Sequence, residues 1–459
     1  MIKLIYKNDS IECIVNGLKT SLIFLLRGLR QGCSLSCMLF NIYISELGHV
    51  LAASNLGFPM TRSLNLSGLL FADDIGNIAL TAENLNKQLN LVNKYCESLR
   101  LEIGISKSQV VSPDDESWEI ELASGETVSL LQVAHYKYLG VDTYSSVYST
   151  CCAKQNKCIQ TARKYLFGII HLLARNPSLL SVAGTTWTAV ALPTILFGCE
   201  IITFAETNIQ TLDSIQAQVA KRMLRVPINT FNVGAVCDVG FKPIRLQLYT
   251  RQLKFYFRAL HLQQFRWLHM VLSEHLEGAW KSPYIDYICR LRAETGTYLD
   301  PPSLNDLVRS LQEWSLSEIN ESIRNHYAPG LTQVAAFTSQ DYVFHHRFLG
   351  TIAGFRLGQS GLFQRYLNPR PSCPLCTVPC ILSDWHIIIS CSFLRRARIS
   401  TGINMFITQC TLMNMDEEKI YSLFISGLNT SENPIDIDEY IARGKVLATL
   451  KSVCLSGCE

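Results

Sequence analysis

The sequence predicts an α+β protein, with antiparallel strands and helices near the amino terminus and helices over most of the remainder. Between residues 119 and 142 apolar and polar side chains alternate, and Ala123-Ser124-Gly125-Glu126 has the composition of a turn. After Ser145 the apolar residues recur at helical spacing almost throughout. We therefore expect a mixed region of sheet and helix followed by helical regions.

Five helices can be bounded from this spacing and from the residues that end them. They cover residues 34–53, 82–98, 151–174, 181–206 and 208–224. Residues 187–205 are apolar enough and long enough to resemble a membrane span, with a single charged residue. Pro193, Gly198 and Glu200 within that segment favour a buried helix of a water-soluble domain instead. We expect no membrane partner.

Two adjacent carboxylates stand at the centre of a predicted β-hairpin. Phe71-Ala72-Asp73-Asp74 lies between Leu69-Leu70 and an apolar segment that begins at Ile75. A buried ionised carboxylate is unfavourable unless a cation neutralises it, and oxygen ligands suit Mg²⁺. The pair therefore indicates a Mg²⁺ site in a buried hairpin. The alternative is an ordinary solvated turn that happens to contain two aspartates.

A glycine-containing loop precedes the first predicted helix. Gly28 and Gly32 allow close approach to a ligand, Arg27 and Arg30 are donors for phosphate, and Gln31 suits a base or sugar. Ser34 or Ser36 is placed to cap the helix that follows. Without the aspartate pair, this segment reads as a plain loop before an amphipathic helix.

The order of these and later motifs resembles the reverse transcriptases of non-LTR (LINE-like) retrotransposons. The matching blocks are residues 27–44 (RGLRQGCSLSCMLFNIYI), 71–74 (FADD), 99–110 (LRLEIGISKSQV), 136–141 (YKYLGV) and 193–200 (PTILFGCE). The resemblance implies a polymerase palm in which the third block carries the functional Lys107. It also implies that residues 136–141 form a hairpin beside the primer end.

The resemblance implies the following roles. Asp73 and Asp74 hold Mg²⁺, Lys107 acts near the triphosphate as a cation or proton donor, and nucleotide and template are positioned by Arg27, Gly28, Arg30, Gln31 and Gly32. The implied partners are an RNA template, a DNA primer or nicked target DNA, and a deoxynucleoside triphosphate.

One element of the family pattern has no match. The family takes a further catalytic aspartate from an F-x-D-x-x-x-A-F-D type motif before the glycine loop, and residues 1–26 offer only Asp9 and Glu12, in a polar turn. Two-metal phosphoryl transfer needs carboxylates from separate strands. We therefore expect a carboxyl-terminal part of a polymerase with weak or absent synthesis on its own.

A basic and aromatic stretch follows the palm blocks. Residues 221–258 contain eight Lys and Arg residues against one acidic residue, Asp238, with six aromatic residues among them. This composition predicts a thumb that grips a template and primer duplex. The alternative is a solvated cationic helix face over ordinary core aromatics.

A cysteine and histidine array near the carboxyl terminus has the spacing of a metal site. Cys373, Cys376, His386 and Cys391 form a Cys-x2-Cys-x9-His-x4-Cys pattern that can close a tetrahedral Zn²⁺ shell. It resembles the zinc knuckle that follows the polymerase in many non-LTR elements, and it would contact nucleic acid. The alternatives are Cys380 in place of one ligand, or a site that has lost its metal.

The remaining composition is less specific. The net charge of +3 over 459 residues excludes an argument from overall basicity, and 48% hydrophobic residues can fill real cores. Seventeen cysteines without an evident signal peptide indicate a reducing compartment, so we expect a nuclear or cytoplasmic protein that is not secreted.

These observations predict five regions: a partial palm over residues 1–143, a helical thumb over 144–264, a helical region of unassigned role over 265–370, a zinc knuckle over 371–398 and a small helical tail over 399–459. The leading hypothesis is a reverse transcriptase fragment that is inactive alone. The second is a non-catalytic RNA- or DNA-binding protein that uses thumb and knuckle. A third is the reading frame of a decayed element without a stable product.

Overall fold

The computed structural model describes residues 10–24, 28, 33–60, 64–114, 117–121, 125–176, 179–263, 266–276, 283–297, 303–326, 386–401, 403–412, 446 and 449–450. The chain divides into two compact units. The first consists of residues Met1–Tyr136, Thr143–Ser145 and Met270–Trp280. The second consists of Lys137–Asp142, Ser146–His269 and Lys281–Glu459.

The strands are short and pair two by two. They are β1 (Ser10–Ile11), β2 (Ile14–Val15), β3 (Leu18–Lys19), β4 (Ile23–Phe24), β5 (Phe58–Pro59), β6 (Asn65–Leu66), β7 (Gly68–Phe71), β8 (Asp74–Asn77), β9 (Gln109–Val110), β10 (Glu119–Glu121), β11 (Thr127–Ser129), β12 (Leu131–Gln132), β13 (His135–Tyr138) and β14 (Val141–Tyr144). Antiparallel pairs join β1 to β4, β2 to β3, β5 to β6, β7 to β8 and β10 to β11. Strand β9 runs parallel to β12, and β13 pairs with β14.

The helices of the first unit are those that the apolar spacing predicts. Helix α1 spans Ser34–Ser54 and helix α2 spans Ala82–Ser98, within one residue of the predicted ends. Thr81 caps α2, since its side chain accepts a hydrogen bond from the backbone of Asn84. The predicted serine cap of α1 is wrong, because Cys33 occupies the N-cap position and makes no side-chain bond to the helix.

Two small cores hold the first unit together. In one, Leu47 and Leu51 of α1 pack with Val92 and Cys96 of α2, and the side chains of the β7–β8 hairpin join them. In the other, Val110, Trp118, Ile120 and Leu130 pack together, with partly buried residues of α2 against them. Helix α2 therefore serves both cores and fixes the position of the hairpin relative to the segment after it.

The remaining helices are mostly in the second unit. They are α3 (Val147–Arg175), α4 (Leu180–Thr185), α5 (Leu192–Ile195), α6 (Glu206–Leu224), α7 (Asn232–Asp238), α8 (Ile244–Leu260), α9 (Trp267–Leu276), α10 (Pro283–Thr295), α11 (Leu304–His326), α12 (Arg395–Ser400) and α13 (Ile403–Leu412). Their apolar faces form a well-buried core that includes Trp187, Leu196, Leu212 and Leu248. The expected change to helical structure after Ser145 is confirmed over the described residues.

The predicted single helix over residues 181–206 is wrong. Helix α4 passes into a π-helical turn, Thr186–Ala191, then into the short α5, and a 3-10 turn follows at Cys199–Ile201. Pro193 has no N–H for a regular helical bond, and Gly198 adopts a left-handed φ of 69°, so regular helix cannot continue through the segment. Several of its apolar side chains, including Leu192, Ile195 and Leu196, are buried within the unit, whereas Val182, Val190, Phe197 and Ile201 are exposed.

One helix of the described residues meets the length and composition of a membrane span. It is Leu35–Ser54 within α1, and 22% of its most apolar window is buried. One face of this helix packs into the first core, whereas Met38 and Ile42 on another face are exposed. Helix α1 is thus apolar on more sides than its packing in this unit requires.

Candidate functional site

The two aspartates lie at the tip of the β7–β8 hairpin. Leu70 pairs with Ile75 and Phe71 pairs with Asp74, so Ala72 and Asp73 form a two-residue turn. Ala72 has a φ of 50°, and Asp73 does not share a positive φ, which is the pattern of a type II′ turn. The predicted hairpin is therefore confirmed: Asp73 lies in its turn and Asp74 is the first residue of β8.

The hairpin is anchored one residue pair behind its tip. Leu70 and Ile75 pack on the core of α1 and α2, whereas Leu69 and Phe71 point to the opposite side and are exposed. Asp73 and Asp74 are both exposed. The expectation of a buried aspartate pair is therefore wrong: the strands are only four residues long, and the turn extends beyond the core into solvent.

Asp73 and Asp74 are the residues at this tip that could hold a single Mg²⁺. Two carboxylates on one turn supply hard oxygen ligands, and Mg²⁺ in proteins commonly takes one or two carboxylates with waters and phosphate oxygens. Among the described residues, no group of three or more His, Cys, Asp or Glu side chains is arranged to hold a metal. A site for two metal ions therefore needs a further carboxylate besides those of Asp73 and Asp74.

Lys107 lies in the first unit, beside the second core. It ends the 3-10 turn Ile105–Lys107, and its backbone N–H donates to the carbonyl of Gly104 at 2.9 Å. Ile105 packs on that core, while the Lys107 side chain is exposed. In the part of the chain that the structure describes, no hydrogen bond or ion pair joins Lys107 to Asp73 or Asp74.

The glycine loop is described at one position. Gly28 is exposed and adopts a φ of 90°, a left-handed conformation that favours glycine. Arg27, Arg30, Gln31 and Gly32 lie outside the described residues, so their predicted contacts with nucleotide and template remain predictions.

The structure brings two of the sequence blocks together in the second unit. The turn between β13 and β14 contacts the PTILFGCE block. Gly140 faces Phe197, and Gly198 faces Val141, with both glycines in left-handed conformations. Lys157 forms an ion pair with Asp142 at 2.5 Å, which ties helix α3 to the same turn. The turn of the β13–β14 hairpin and the PTILFGCE block therefore pack together.

Several residues of the predicted thumb stretch, residues 221–258, make contacts within the second unit. Lys221 is buried and donates to the carbonyl of Ile228 and to Asn232, and burial lowers its pKa. Arg245 and Arg251 form ion pairs with Glu206 and Glu200. The aromatic side chains of Phe241, Tyr249 and Tyr256 are buried in the core. For these residues the core aromatics of the alternative are confirmed, whereas the three cations are paired within the unit and do not form the solvated cationic face that it also predicts.

Two acids on helix α6 complete this internal network. Glu206 accepts hydrogen bonds from Arg245, which lower its pKa. Asp213 accepts from the backbone N–H groups of Ile244 and Arg245, at the start of α8. Burial of Asp213 raises its pKa to about 6. Both acids therefore face α8 and stabilise its first turn.

Two of the four proposed zinc ligands, His386 and Cys391, lie among the described residues. His386 begins a π-helical turn, His386–Ser390, and Cys391 follows it, with the Cys391 N–H donating to the His386 carbonyl at 2.7 Å. Both side chains are buried, and the His386 Nδ1 lies 3.1 Å from the Ser390 hydroxyl. Cys373, Cys376 and Cys380 lie outside the described residues.

One functional feature was missed at the sequence level. Helix α3 contains five Lys and Arg residues and no Asp or Glu in 29 residues. Counting acids along each predicted helix would have revealed it, whereas the net charge of the whole chain conceals it. Because Arg222, Arg225, Lys242 and Arg258 are also exposed, α3 adds to the predicted basic surface and does not replace it.

A comparison with protein families identifies the first part of the chain. Residues 1–143 match the family model described as reverse transcriptase (RNA-dependent DNA polymerase). Enzymes of this family bind a nucleic-acid template and primer and generally use Mg²⁺, which agrees with the oxygen donors at the hairpin tip. Over residues 1–143 the chain therefore resembles a reverse transcriptase domain, as the order of the motifs predicts.

Proposed function

We propose that this chain derives from an RNA-directed DNA polymerase of the non-LTR (LINE-like) type and contributes an incomplete palm. The observation that carries the proposal is the β7–β8 hairpin, with Asp73 and Asp74 exposed at a two-residue turn that Leu70 and Ile75 anchor. The order of the blocks around it supports the non-LTR type.

The residues of the palm would divide the work as follows. The hairpin backbone holds both carboxylates at a fixed point, and Mg²⁺ bound there would supply charge neutralisation for a triphosphate. Arg27, Arg30 and Gln31 would position nucleotide and template. Lys107 would act near the triphosphate as a cation or proton donor, which requires its flexible exposed side chain to reach the substrate.

Polymerase activity of the chain alone is expected to be weak or absent. Two carboxylates cannot clamp two metal ions from both sides, and loss of one such ligand costs orders of magnitude in rate. Leu69 and Phe71 present an apolar outer face beside the carboxylates, which supports a palm sheet that requires further covering. A primer-extension assay with Mg²⁺ would contradict this expectation if it showed processive incorporation that Asp73→Ala abolishes.

The metal site itself can be tested without activity. Fe²⁺ bound in place of Mg²⁺ reduces added hydrogen peroxide to hydroxyl radicals, with ascorbate to regenerate Fe²⁺, and these radicals cleave the backbone near the ion. We expect cleavage close to residues 73 and 74, suppressed by excess Mg²⁺ and lost in the Asp73→Asn/Asp74→Asn double variant. Asp114→Asn removes an exposed acid elsewhere in the same unit and should leave the cleavage unchanged. Cleavage that persists in the double variant would refute the proposed site.

The zinc knuckle is part of the same proposal. Its support is the Cys-x2-Cys-x9-His-x4-Cys spacing and the turn that places His386 and Cys391 next to each other in the backbone. We expect one zinc per purified chain by elemental analysis, lost in Cys373→Ser and in Cys391→Ser. Cys289→Ser changes an exposed cysteine outside the array and should retain the metal. A chain without zinc, or equal zinc in all variants, would exclude the knuckle.

A further inference from the structure

Helices α3 and α6 of the second unit form a groove of about 460 Å³. One wall carries Arg163 and Phe167 of α3, and the other carries Thr207, Gln210, Thr211 and Ser214 of α6. Leu166 and Ile215 form part of its floor and are buried. The groove is therefore an apolar floor between a wall with a cation and an aromatic ring and a wall of neutral hydrogen-bonding groups.

The two acids of α6 are both paired with groups of α8. Asp213 accepts from the backbone N–H groups at the start of α8. Glu206 is paired with Arg245 and also accepts a hydrogen bond from the side chain of Gln210, which lines the groove. Among the described residues that line the groove there is no carboxylate, and Arg245 neutralises the one that lies beside it.

The facing helix adds positive charge. Lys154, Lys157, Arg163, Lys164 and Arg175 lie on α3, which has no acidic residue. Asp142 neutralises Lys157, whereas Arg163 is exposed on the groove wall. A groove with an exposed arginine on one wall and neutral side chains on the other is complementary to a polyanion.

Phe167 narrows the choice of polyanion. Its side chain is 61% exposed and lies one helical turn from Arg163. An exposed ring next to an arginine offers a face for a base and a donor for the adjoining phosphate. A base paired and stacked inside a duplex does not present its face, whereas an unpaired base does. The aromatic ring therefore favours a single strand.

We propose that the groove between α3 and α6 binds single-stranded RNA, with Phe167 stacking on a base, Arg163 binding a phosphate, and the Thr207 and Ser214 hydroxyl groups contacting the sugar-phosphate backbone. The site rests on the proposed function in one respect, that the chain acts on nucleic acid. It is distinct from the palm, since it uses no residue of the hairpin tip.

The test is fluorescence anisotropy with a labelled single-stranded RNA oligonucleotide and the full-length chain, without Mg²⁺ or nucleotide. Phe167→Ala should weaken binding about tenfold or more, the range of one lost base stack. Arg163→Gln should reduce the slope of log affinity against log salt by about 0.7, as for one phosphate contact on a single strand. Circular dichroism melting curves establish that both variants remain folded.

Two matched variants on the same helix serve as controls. Tyr148→Ala removes an aromatic ring that is 79% exposed and does not line the groove, and Arg175→Gln removes a cation near the far end of α3. Tyr148→Ala should change affinity less than twofold, and Arg175→Gln should leave the salt slope unchanged. The Asp73→Asn/Asp74→Asn variant should bind like the wild type, which separates this site from the palm.

Three results would overturn the proposal. The first is a loss in Phe167→Ala no larger than that in Tyr148→Ala. The second is that Phe167→Ala weakens the binding of an RNA duplex of the same sequence as much as it weakens the binding of the single strand. A duplex offers no unstacked base to the ring. The third is the lack of saturable binding by the wild-type chain. A failed Fe²⁺ cleavage test with intact RNA binding would instead reject the palm site alone.

Discussion

A Cβ atom on Gly140 would lie 2.9 Å from Cε1 of Phe197, so the turn of the β13–β14 hairpin reaches this ring because residue 140 has no side chain. The reverse contact has the same form, since a Cβ on Gly198 would lie 2.8 Å from Cγ2 of Val141. Each glycine thus packs against the residue next to the other glycine in the sequence. Both also adopt a left-handed φ, of 86° and 69°.

This reciprocal packing predicts that either glycine is costly to replace. Gly140→Ala and Gly198→Ala add both backbone strain and a steric clash, and each should lower the free energy of unfolding by about 1 to 3 kcal/mol. Denaturant unfolding followed by circular dichroism measures the change. Gly168→Ala in helix α3 is the control, because nothing lies within 4 Å of its Cβ position and alanine favours helix. Equal stability of all three variants would contradict the packing argument.

Gln252 supports the same block from beneath. Its amide nitrogen donates to the carbonyls of Cys199 and Ile202, its oxygen accepts from the Tyr287 hydroxyl, and the side chain is fully buried. Gln252→Leu keeps the volume and leaves three buried polar groups without this partner. We expect a loss of about 2 to 4 kcal/mol in the free energy of unfolding.

The control for this loss is Gln247→Leu. Gln247 also donates to a backbone carbonyl, that of Lys242 at 2.8 Å, but it is partly exposed and water can replace its bond. We expect a change of no more than about 0.5 kcal/mol there. If the two variants lost the same stability, burial of the Gln252 bonds would not be the cause.

The sequence predicted the elements whose signal is local. Helix α2 was placed at its observed ends because the apolar spacing marks them, and the FADD hairpin followed from two apolar strands around a short turn. The prediction of a single helix over residues 181–206 was wrong. The apolar spacing continues through Pro193 and Gly198, whereas the regular helical hydrogen bonds of the backbone do not. The prediction that Asp73 and Asp74 are buried was wrong for another reason. Burial depends on which elements pack beyond the hairpin tip, and the local sequence does not contain that information.

The site was predictable to a similar degree. Motif order singled out Asp73 and Asp74 and predicted the reverse transcriptase resemblance that residues 1–143 show. The uses of Arg245 and Arg251, in contrast, depended on where Glu206 and Glu200 come to lie in three dimensions. A count of cations along 221–258 could not separate internal ion pairs from free donors. The acid-free helix α3, by contrast, was visible in the sequence once each helix is counted alone.

Asp213 predicts a measurable dependence of stability on pH. Burial raises its pKa from 3.8 to about 6 in the folded chain, so the folded state binds the proton more tightly than the unfolded state. Stability contributed by this group is therefore present below pH 4 and is lost as the pH rises towards 6. The loss is at most about 3 kcal/mol.

Asp213→Asn tests this dependence. Asparagine keeps an oxygen that accepts from the Ile244 and Arg245 N–H groups, but it does not titrate. The difference in unfolding free energy between variant and wild type should therefore grow in favour of the variant from pH 4 to pH 6.5. Asp306→Asn, in the first turn of α11, removes a carboxylate that is partly exposed and should not reproduce that trend. A pH-independent difference for Asp213→Asn would show that its carboxyl titrates normally.

The turn that presents the two aspartates is itself strained at Ala72. Its φ of 50° is a conformation that glycine adopts freely and alanine does not. Ala72→Gly should therefore relieve strain and stabilise the hairpin by about 1 kcal/mol, less the larger backbone entropy of glycine in the unfolded chain. Ala72→Val, with a β-branched side chain, should destabilise it. Amide hydrogen exchange of residues 68–77 reports the local opening directly, with slower exchange for glycine and faster exchange for valine. The opposite order would mean that the turn does not hold its left-handed residue in solution, and the two carboxylates would then lack the fixed geometry that a metal site at this tip requires.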